Sequence, residues 1–86
     1  MSIKQDQVAR GVRVKFNKKF EPKSLGEESL IKDKIVFISD YMIYNDSVGH
    51  YVNLRGYTPN KNGGAIYVNS GYAYLDEIDL KFPIEY

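Results

Sequence analysis

Hydrophobic and polar residues alternate near the start of this chain in a way that predicts a β-strand. In the stretch GVRVKF, the apolar residues Val12, Val14 and Phe16 are each separated by one basic residue. Successive side chains of a strand point to opposite faces of a sheet, so a period of two indicates one buried face and one exposed face. This first strand is expected to bury its aliphatic residues and to turn Arg13 and Lys15 outward.

Two further strands are predicted in the middle of the chain. The stretch KIVFISDYMIY, residues 34–44, is the most β-prone of the sequence, and its first part is apolar on both faces, as in a well-covered central strand. In HYVNLRGY, residues 50–57, Val52 and Leu54 alternate with polar residues. Turn-forming residues separate the two stretches, so the two strands are expected to form a hairpin.

The C-terminal third continues with a turn, a strand and a short helical turn. TPNKNGG, residues 58–64, contains an Asn-Gly pair typical of a tight reversal, and AIYVN, residues 65–69, is predicted as a hairpin arm with Ile66 and Val68 on the core face. The apolar spacing in YLDEIDL predicts one helical turn before a last strand. Pro83 predicts that the final residues lie at a sheet edge or trail away.

Residues 17–33 interrupt the strands with a long segment that has no clear period. A structureless loop of this length is unusual in a compact domain. We therefore expect apolar residues to anchor it, through an irregular hairpin or one helical turn. The candidate anchors are Phe20, Leu25, Leu30 and Ile31.

The composition is that of one ordinary globular domain. The chain has 86 residues, 43% of them hydrophobic and 27% charged, and it is too short to divide into two independently stable cores. We expect residues 1–10 to form a polar N-terminal arm and residues 11–86 to form the domain. The absence of cysteine excludes disulfides and thiolate chemistry. No apolar run approaches the roughly 18 residues of a membrane span, so no membrane association and a cytoplasmic location are expected.

Basic and acidic residues are unevenly distributed along the chain. The net charge is only +1, but residues 1–34 hold nine Lys/Arg and five Asp/Glu, whereas residues 35–86 hold three and six. This asymmetry predicts either a basic face or, if folding mixes the two parts, a surface of mixed sign.

The order of the predicted parts resembles that of the SH3-like barrel. The charged strand GVRVKF, a long irregular loop, the strand KDKIVFISDYM, the arm HYVNLRGY, the strand AIYVN and the closing YAYLDEIDL follow one another as in that fold, over about residues 10–82. The resemblance implies an all-β fold, a small antiparallel barrel of about five strands with a long loop after the first strand.

More narrowly, the chain resembles short SH3-like proteins of unknown role that bacteriophages and prophages encode. That resemblance rests on the valine-rich first strand, the K-I-V-x-I stretch and the aromatic, acidic ending. It implies a location in the host cytoplasm. Asn17 to Lys19 stand where barrels of the KOW type carry glycines, which argues against a ribosomal or RNA-binding role.

The sequence contains little that points to catalysis or to a metal. His50 is the only histidine, and no nucleophile or orienting acid is evident near it. Asp76, Glu77 and Asp79 offer oxygen ligands for a hard cation, but their spacing lacks the glycine-containing loop of a calcium hand. We expect no enzyme activity, no catalytic residue, no cofactor and no metal, with these carboxylates on the polar side of a turn.

The strongest surface signal is a set of tyrosines opposite the aliphatic core positions. Tyrosine and arginine concentrate at binding hot spots, since the ring adds buried area at low entropy cost and the polar end adds directed hydrogen bonds. We therefore predict a non-enzymatic interaction module that binds a host protein, with blocking or redirection of that protein as the mechanism. The residues predicted to bind are Tyr51, Arg55, Tyr57, Tyr67, Tyr72 and Tyr74.

Three other interpretations of these residues stay open. Arg13 and Lys15, together with the rings, could contact phosphates and stack unpaired bases, which predicts binding of single-stranded nucleic acid or a nucleotide by the same barrel. Exposed edge strands could pair with a second copy and form a homo-oligomer. The rings could also serve sheet packing alone.

Overall fold

Six short strands and one helix form the regular structure within the residues described, which are 2–62 and 67–81 of the computed structural model. The strands are β1 (Val14–Phe16), β2 (Ile35–Ile38), β3 (Tyr44–Asn45), β4 (His50–Tyr57), β5 (Asn69–Tyr74) and β6 (Ile78–Leu80), and the helix is α1 (Leu25–Lys32). Single 3-10 turns lie at Gln5–Gln7 and Leu75–Glu77.

Strand β4 is the centre of the larger sheet. It pairs antiparallel with β5 over residues 51–56, with β2 over residues 54–57 and with β3 over residues 50–51. Because a strand has only two edges, β2 and β3 share the edge of β4 opposite β5. β1 pairs antiparallel with β6 and reaches β2 through a bridge between Arg13 and Phe37. The strands thus form a two-stranded sheet of β1 and β6 and a four-stranded sheet of β2 to β5, which the isolated Arg13–Phe37 bridge connects. Within the described residues, no pairing of β5 with β6 closes the two sheets into a barrel.

The structure confirms a mostly β protein with antiparallel pairing, and it revises the predicted central strand. Residues 34–44 contain β2 and the first residue of β3, so two strands stand where one was predicted. Asp40 accepts a hydrogen bond from the backbone N–H of Met42 at 3.2 Å between them. A local bond from side chain to backbone competes with strand pairing, so it accounts for the break.

In the described part of the predicted hairpin arm, residues 67–69, the strand begins later than predicted. β5 begins only at the last of these residues, and Val68, predicted on the core face, is 55% exposed. The inward positions of β5 are Gly71 and Ala73, and the absence of a side chain at Gly71 leaves room for α1. Three predictions lie at least partly outside the described residues: the tight reversal at Gly63, the core position of Ile66 and the chain end at Pro83.

Helix α1 lies in the long segment where one helical turn was among the predicted alternatives. Ser24 caps its N-terminus by accepting a hydrogen bond from the N–H of Glu27 at 3.3 Å. Leu30 is fully buried, whereas Leu25 and Ile31 are 81% and 50% exposed. Among these three predicted anchors, Leu30 is therefore the one that attaches the helix to the core.

The hydrophobic core collects side chains from α1 and from every strand except β3. Val52 and Leu54 face inward from β4, as the alternation predicted, and are at most 1% exposed. Ile3, from the predicted N-terminal arm, is also buried, and its N–H donates to the carbonyl of Ile78 at 2.9 Å. The buried core residues are Ile3, Val14, Leu30, Val36, Ile38, Val52, Leu54, Ala73 and Ile78.

Two buried carboxylates cover the outer edge of β5 in place of a further strand. Oε2 of Glu27 accepts a hydrogen bond from the N–H of Tyr72 at 3.2 Å, and Oε1 of Glu77 accepts one from the N–H of Tyr74 at 2.9 Å. Glu27 is 1% exposed and Glu77 is 8% exposed. Alternate N–H groups of a strand point to the same edge, so these carboxylates occupy positions that an added strand would use.

The other oxygen of each carboxylate holds the segment that precedes α1. Oε1 of Glu27 accepts a hydrogen bond from the N–H of Lys23 at 2.7 Å, and Oε2 of Glu77 accepts one from the N–H of Glu21 at 3.3 Å. Each carboxylate therefore links β5 to this segment through two backbone donors.

Two glycines allow α1 to lie this close to β5. A Cβ atom at Gly71 would overlap Cγ of Glu27, and one at Gly26 would overlap the carbonyl oxygen of Ser70. Interiors are packed too tightly to absorb such an overlap without movement of the backbone. Neither position accepts a larger side chain while α1 keeps its place.

Replacing Glu27 with alanine should lower the free energy of unfolding by about 2–5 kcal/mol, because the partly buried N–H groups of Lys23 and Tyr72 would lose their acceptor and a buried side chain would be truncated. Urea denaturation followed by circular dichroism measures the change. Glu28→Ala is the control, since Glu28 is the next residue of the same helix and is exposed. The control should cost less than about 1 kcal/mol. Equal losses in the two variants would show that Glu27 does not hold β5.

Candidate functional site

The outward face of β4 carries the polar and aromatic side chains that the core leaves out. The even-numbered residues from Val52 to Gly56 are buried, so the odd-numbered ones point to the opposite side of the sheet. Neighbours on β2, β3 and β5 extend this surface on both sides. It is called the tyrosine–arginine face below, and its residues are Phe37, Tyr44, Tyr51, Asn53, Arg55, Tyr57, Tyr72 and Tyr74.

Four tyrosine rings pack together at one end of this face. The strand register places Tyr44 and Tyr74 directly opposite Tyr51, on its two sides. The ring centroids of Tyr44 and Tyr51 are 5.5 Å apart, and those of Tyr51 and Tyr72 are 4.9 Å apart. Tyr74 meets Tyr51 and Tyr72 edge-on at 5.7 and 5.9 Å. Aromatic pairs are favourable at these separations, so the rings hold one another in place.

Two of the four tyrosines are also held by their hydroxyl groups. Tyr74 donates to Oδ2 of Asp46 at 2.7 Å, and Tyr44 donates to Oδ2 of Asp40 at 3.0 Å. The hydrogen bond between Tyr74 and Asp46 is the main cause of a raised pKa of Tyr74 and of a lowered pKa of Asp46. The hydrogen bond to Asp40 likewise raises the pKa of Tyr44. Asp46 lies in the connection between β3 and β4, so its hydrogen bond with Tyr74 attaches this connection to β5.

A cross-strand row of charged and aromatic residues forms the other end of the face. Bridge pairing places Arg13 opposite Phe37, and the β2–β4 register places Phe37 opposite Arg55. Phe37 also meets Tyr57 edge-on, with centroids 6.5 Å apart. Arg55 is exposed, whereas Nε of Arg13 is buried and has no hydrogen-bond partner in the part of the chain that the structure describes.

An open hollow of about 330 Å³ lies between the two ends of the face. The side chains of Asn53, Arg55 and Tyr72 line it, together with Ser39 and Ser70. Rings beside hydrogen-bonding groups are typical of the central part of protein interfaces. This arrangement could therefore receive a side chain of a partner.

Most of the predicted binding residues are brought together here. Tyr51, Arg55, Tyr57, Tyr72 and Tyr74 lie on the tyrosine–arginine face, and Tyr74 is only 9% exposed because it lies among the other rings. The remaining predicted residues lie at or beyond its border. Arg13 borders the face beside Phe37, Lys15 is exposed on β1 opposite Asp79, and Tyr67 is 86% exposed before β5 begins.

Phe37 and Tyr44 belong to the face although the sequence pattern did not single them out. Phe37 lies in a stretch that is apolar on both faces, so alternation could not reveal which of its residues point outward. The position of Tyr44 depends on the break at Asp40 between β2 and β3. Asp40 was the available signal, since aspartate favours local turns.

The residues considered for catalysis and metal binding lie elsewhere. His50 is exposed and lines an open hollow of about 240 Å³ that Asp76 also lines. Glu77 caps β5, and Asp79 accepts a hydrogen bond from Nδ2 of Asn17 at 3.2 Å. Within the described ranges, no group of three or more His, Cys, Asp or Glu residues is placed to hold a metal ion.

Comparisons with known proteins leave the function to be argued from this geometry. A scan against protein-family models, a search of curated proteins and a search of solved structures each found no match to this chain. Among residues 2–62 and 67–81, no helix has the length and apolar character needed to cross a membrane.

Tyr74→Phe should reduce the free energy of unfolding most at intermediate pH. The pKa of Asp46 is lowered in the folded state. Its contribution to the free energy of unfolding is therefore present above the ordinary pKa of 3.8 and is lost as pH falls through the lowered pKa. The pKa of Tyr74 is raised in the folded state. Its contribution to the free energy of unfolding is therefore present below the ordinary pKa of 10.0 and is lost as pH rises through the raised pKa. The difference in free energy of unfolding between wild type and variant should therefore be constant at intermediate pH and decrease at low and at high pH.

Urea denaturation at a series of pH values measures this difference. Tyr67→Phe is the matched control, because it removes a hydroxyl from a tyrosine that is 86% exposed, and its profile should follow the wild type. A loss in Tyr74→Phe that stays constant below pH 3.8 and above pH 10.0 would contradict the assignment to the Tyr74–Asp46 hydrogen bond.

Proposed function

We propose that this protein is a non-enzymatic interaction module that binds a protein partner through the tyrosine–arginine face. The main support is the packing of four tyrosine rings on the same sheet face as the exposed Arg55. Tyrosine and arginine contribute a large share of the binding energy at interfaces. Because the rings already pack against one another, binding would cost little side-chain entropy.

The strand order supports an SH3-like arrangement, which is part of the proposal. β1 is followed by a long segment with α1, then by β2, β4 and β5 as neighbours in an antiparallel sheet. After a 3-10 turn, β6 returns to pair with β1. The resemblance to bacteriophage and prophage proteins of this kind is the basis for proposing a host protein as the partner, with blocking or redirection as the mechanism.

The charges at the Arg55 end of this face favour an acidic partner, whereas Asp40 and Asp46 lie at the tyrosine end. Strands β2, β4 and β5 contain no Asp or Glu. Arg55 is exposed, and Arg13 borders the face beside Phe37. Guanidinium groups bind carboxylates through two parallel hydrogen bonds, and complementary charge also accelerates association. We therefore propose that the partner contacts this face with aspartate or glutamate side chains.

Replacing Arg55 and Tyr57 together with alanine should weaken binding of the partner about 30-fold, which corresponds to about 2 kcal/mol. The tagged protein captures the partner from a lysate of the host, and titration calorimetry of the purified pair gives the dissociation constant. Arg10→Ala is the matched control, because Arg10 is an exposed arginine that is not among the residues of the face. Circular dichroism verifies that both variants are folded. Unchanged affinity in the double variant would reject this face as the binding site.

Binding of single-stranded nucleic acid is the second candidate, because Phe37 stands between Arg13 and Arg55 in the cross-strand row. Basic groups interleaved with rings can contact phosphates and stack bases. This candidate predicts that a labelled oligonucleotide binds at low salt, that affinity falls steeply as salt is added, and that neutralising Arg13 and Lys15 weakens it. An oligonucleotide that does not bind at low salt would dispose of it.

Self-association through edge strands stays a further prediction. The outer edge of β5 has fewer free backbone donors for pairing with a second copy than an uncovered edge has. The N–H groups of Tyr72 and Tyr74 already donate to Glu27 and Glu77. Light scattering over a series of concentrations tests the idea, and a constant monomer mass would remove it.

A further inference from the structure

Three aromatic rings surround the side-chain ammonium group of Lys23. Its Nζ lies over the rings of Phe20, Tyr72 and Tyr74, at 5.3, 5.3 and 5.2 Å from their centroids. The same Nζ lies 3.3 Å from Oε1 of Glu77, whose side chain is 10% exposed. Ring faces around a cation, with a carboxylate beside it, are the chemical features that recognise ammonium groups.

We propose that these residues form a binding site for a quaternary ammonium group and that Lys23 is an internal occupant which the ligand displaces. The site is called the ammonium cage below and consists of Phe20, Tyr72, Tyr74 and Glu77. It goes beyond the proposed protein-binding role. Tyr72 and Tyr74 belong to both surfaces, whereas Phe20 and Glu77 belong to the cage alone and Arg55 and Tyr57 to the tyrosine–arginine face alone.

The distances from Nζ to the rings suit a methylated nitrogen better than a bare one. A single C–N bond is about 1.45 Å long, so a methyl group directed from the nitrogen toward a ring would lie about 3.8 Å from that centroid. Non-bonded carbon atoms have their optimal separation at about 3.5–4.0 Å. Each of the three rings could therefore contact one methyl group of a trimethylammonium.

An open hollow of about 350 Å³ gives access to the cage. It is lined by the acidic residues Glu21, Asp76 and Glu77 and by the basic residues Lys19 and Lys23. When the side chain of Lys23 moves out, three carboxylates face one remaining lysine. The local potential then favours a cationic ligand.

The side chain of Lys23 can leave the cage without disturbing the backbone around it. This side chain is 31% exposed, and the backbone N–H of Lys23 is held separately by Glu27. Glu77 keeps its hydrogen bonds from the N–H groups of Glu21 and Tyr74. The ammonium group of Lys23 also donates to the backbone carbonyl of Glu21 at 3.0 Å. Glu21 is exposed, so a water molecule can replace Lys23 as the donor to this carbonyl.

Titration with tetramethylammonium chloride, followed by NMR of the ring protons of the cage, tests the proposal. Lys23→Ala should bind the ion about tenfold more tightly than the wild type, the factor expected if Lys23 fills the cage in about nine molecules of ten. Lys19→Ala is the matched control, since it removes the same charge from the hollow while Lys23 still fills the cage, and its gain in affinity should be much smaller than tenfold. Lys23→Ala combined with Tyr72→Leu should lose most of the binding, because one ring is removed while apolar volume is kept.

The wild type gives an independent measurement if the alanine variant does not fold. In the wild type, the ion should shift the resonances of the Lys23 side chain as it leaves the cage, and Lys23→Gln offers a second, more conservative variant. A folded Lys23 variant whose ring resonances show no saturable shift, or which binds no more tightly than Lys19→Ala, would overturn the proposal. Arg55→Ala should bind the ion like the wild type, so failure of the protein-binding proposal would remain distinguishable.

A quaternary ammonium group could come from a small amine or from a trimethylated lysine of a protein. A short peptide with a central trimethyllysine, compared with the same peptide carrying unmodified lysine, distinguishes these sources. Binding of the trimethylated peptide that is tighter than that of both the unmodified peptide and tetramethylammonium would assign the cage to a protein ligand. Equal or weaker binding of that peptide would assign it to a small amine.

Discussion

The rest of the structure depends on two buried carboxylates at the outer edge of β5. Glu27 and Glu77 accept hydrogen bonds from the N–H groups of Tyr72 and Tyr74, which would otherwise be covered without an acceptor. Their other oxygens hold the backbone of the segment before α1. A buried carboxylate is costly unless its oxygens are satisfied, so these four hydrogen bonds favour one position of α1 against the sheet.

This constraint connects the two surfaces of β5 that carry the functional proposals. Tyr72 and Tyr74 pack against Tyr51 on the tyrosine–arginine face, and the same two rings lie beside the ammonium group of Lys23. Lys23 itself is placed by the hydrogen bond from its N–H to Glu27. Residues that share partners in this way are coupled energetically, so occupancy of one surface should influence the rings at the other.

Local patterns were sufficient where a strand has one covered face. Val14, Val52 and Leu54 are buried as their alternation indicated, and the outward residues of β4 lie on the opposite side. The pattern was not sufficient for Glu27 and Glu77, which in the sequence resemble ordinary polar residues of a helix start and of an acidic run. Their burial depends on backbone donors of segments far along the chain, which no periodicity encodes.

The sequence by itself determined which residues of β1 and β4 face the core, because a period of two is a local property of an extended backbone. Tertiary structure decided that strand pairing is interrupted at Asp40 and which tyrosines pack in one cluster. It also decided that Glu27 of α1 covers the outer edge of β5. It also decided that Lys23 lies among three rings. These features join segments that are distant in sequence, and their stability comes from packing and hydrogen bonds formed only when the segments meet.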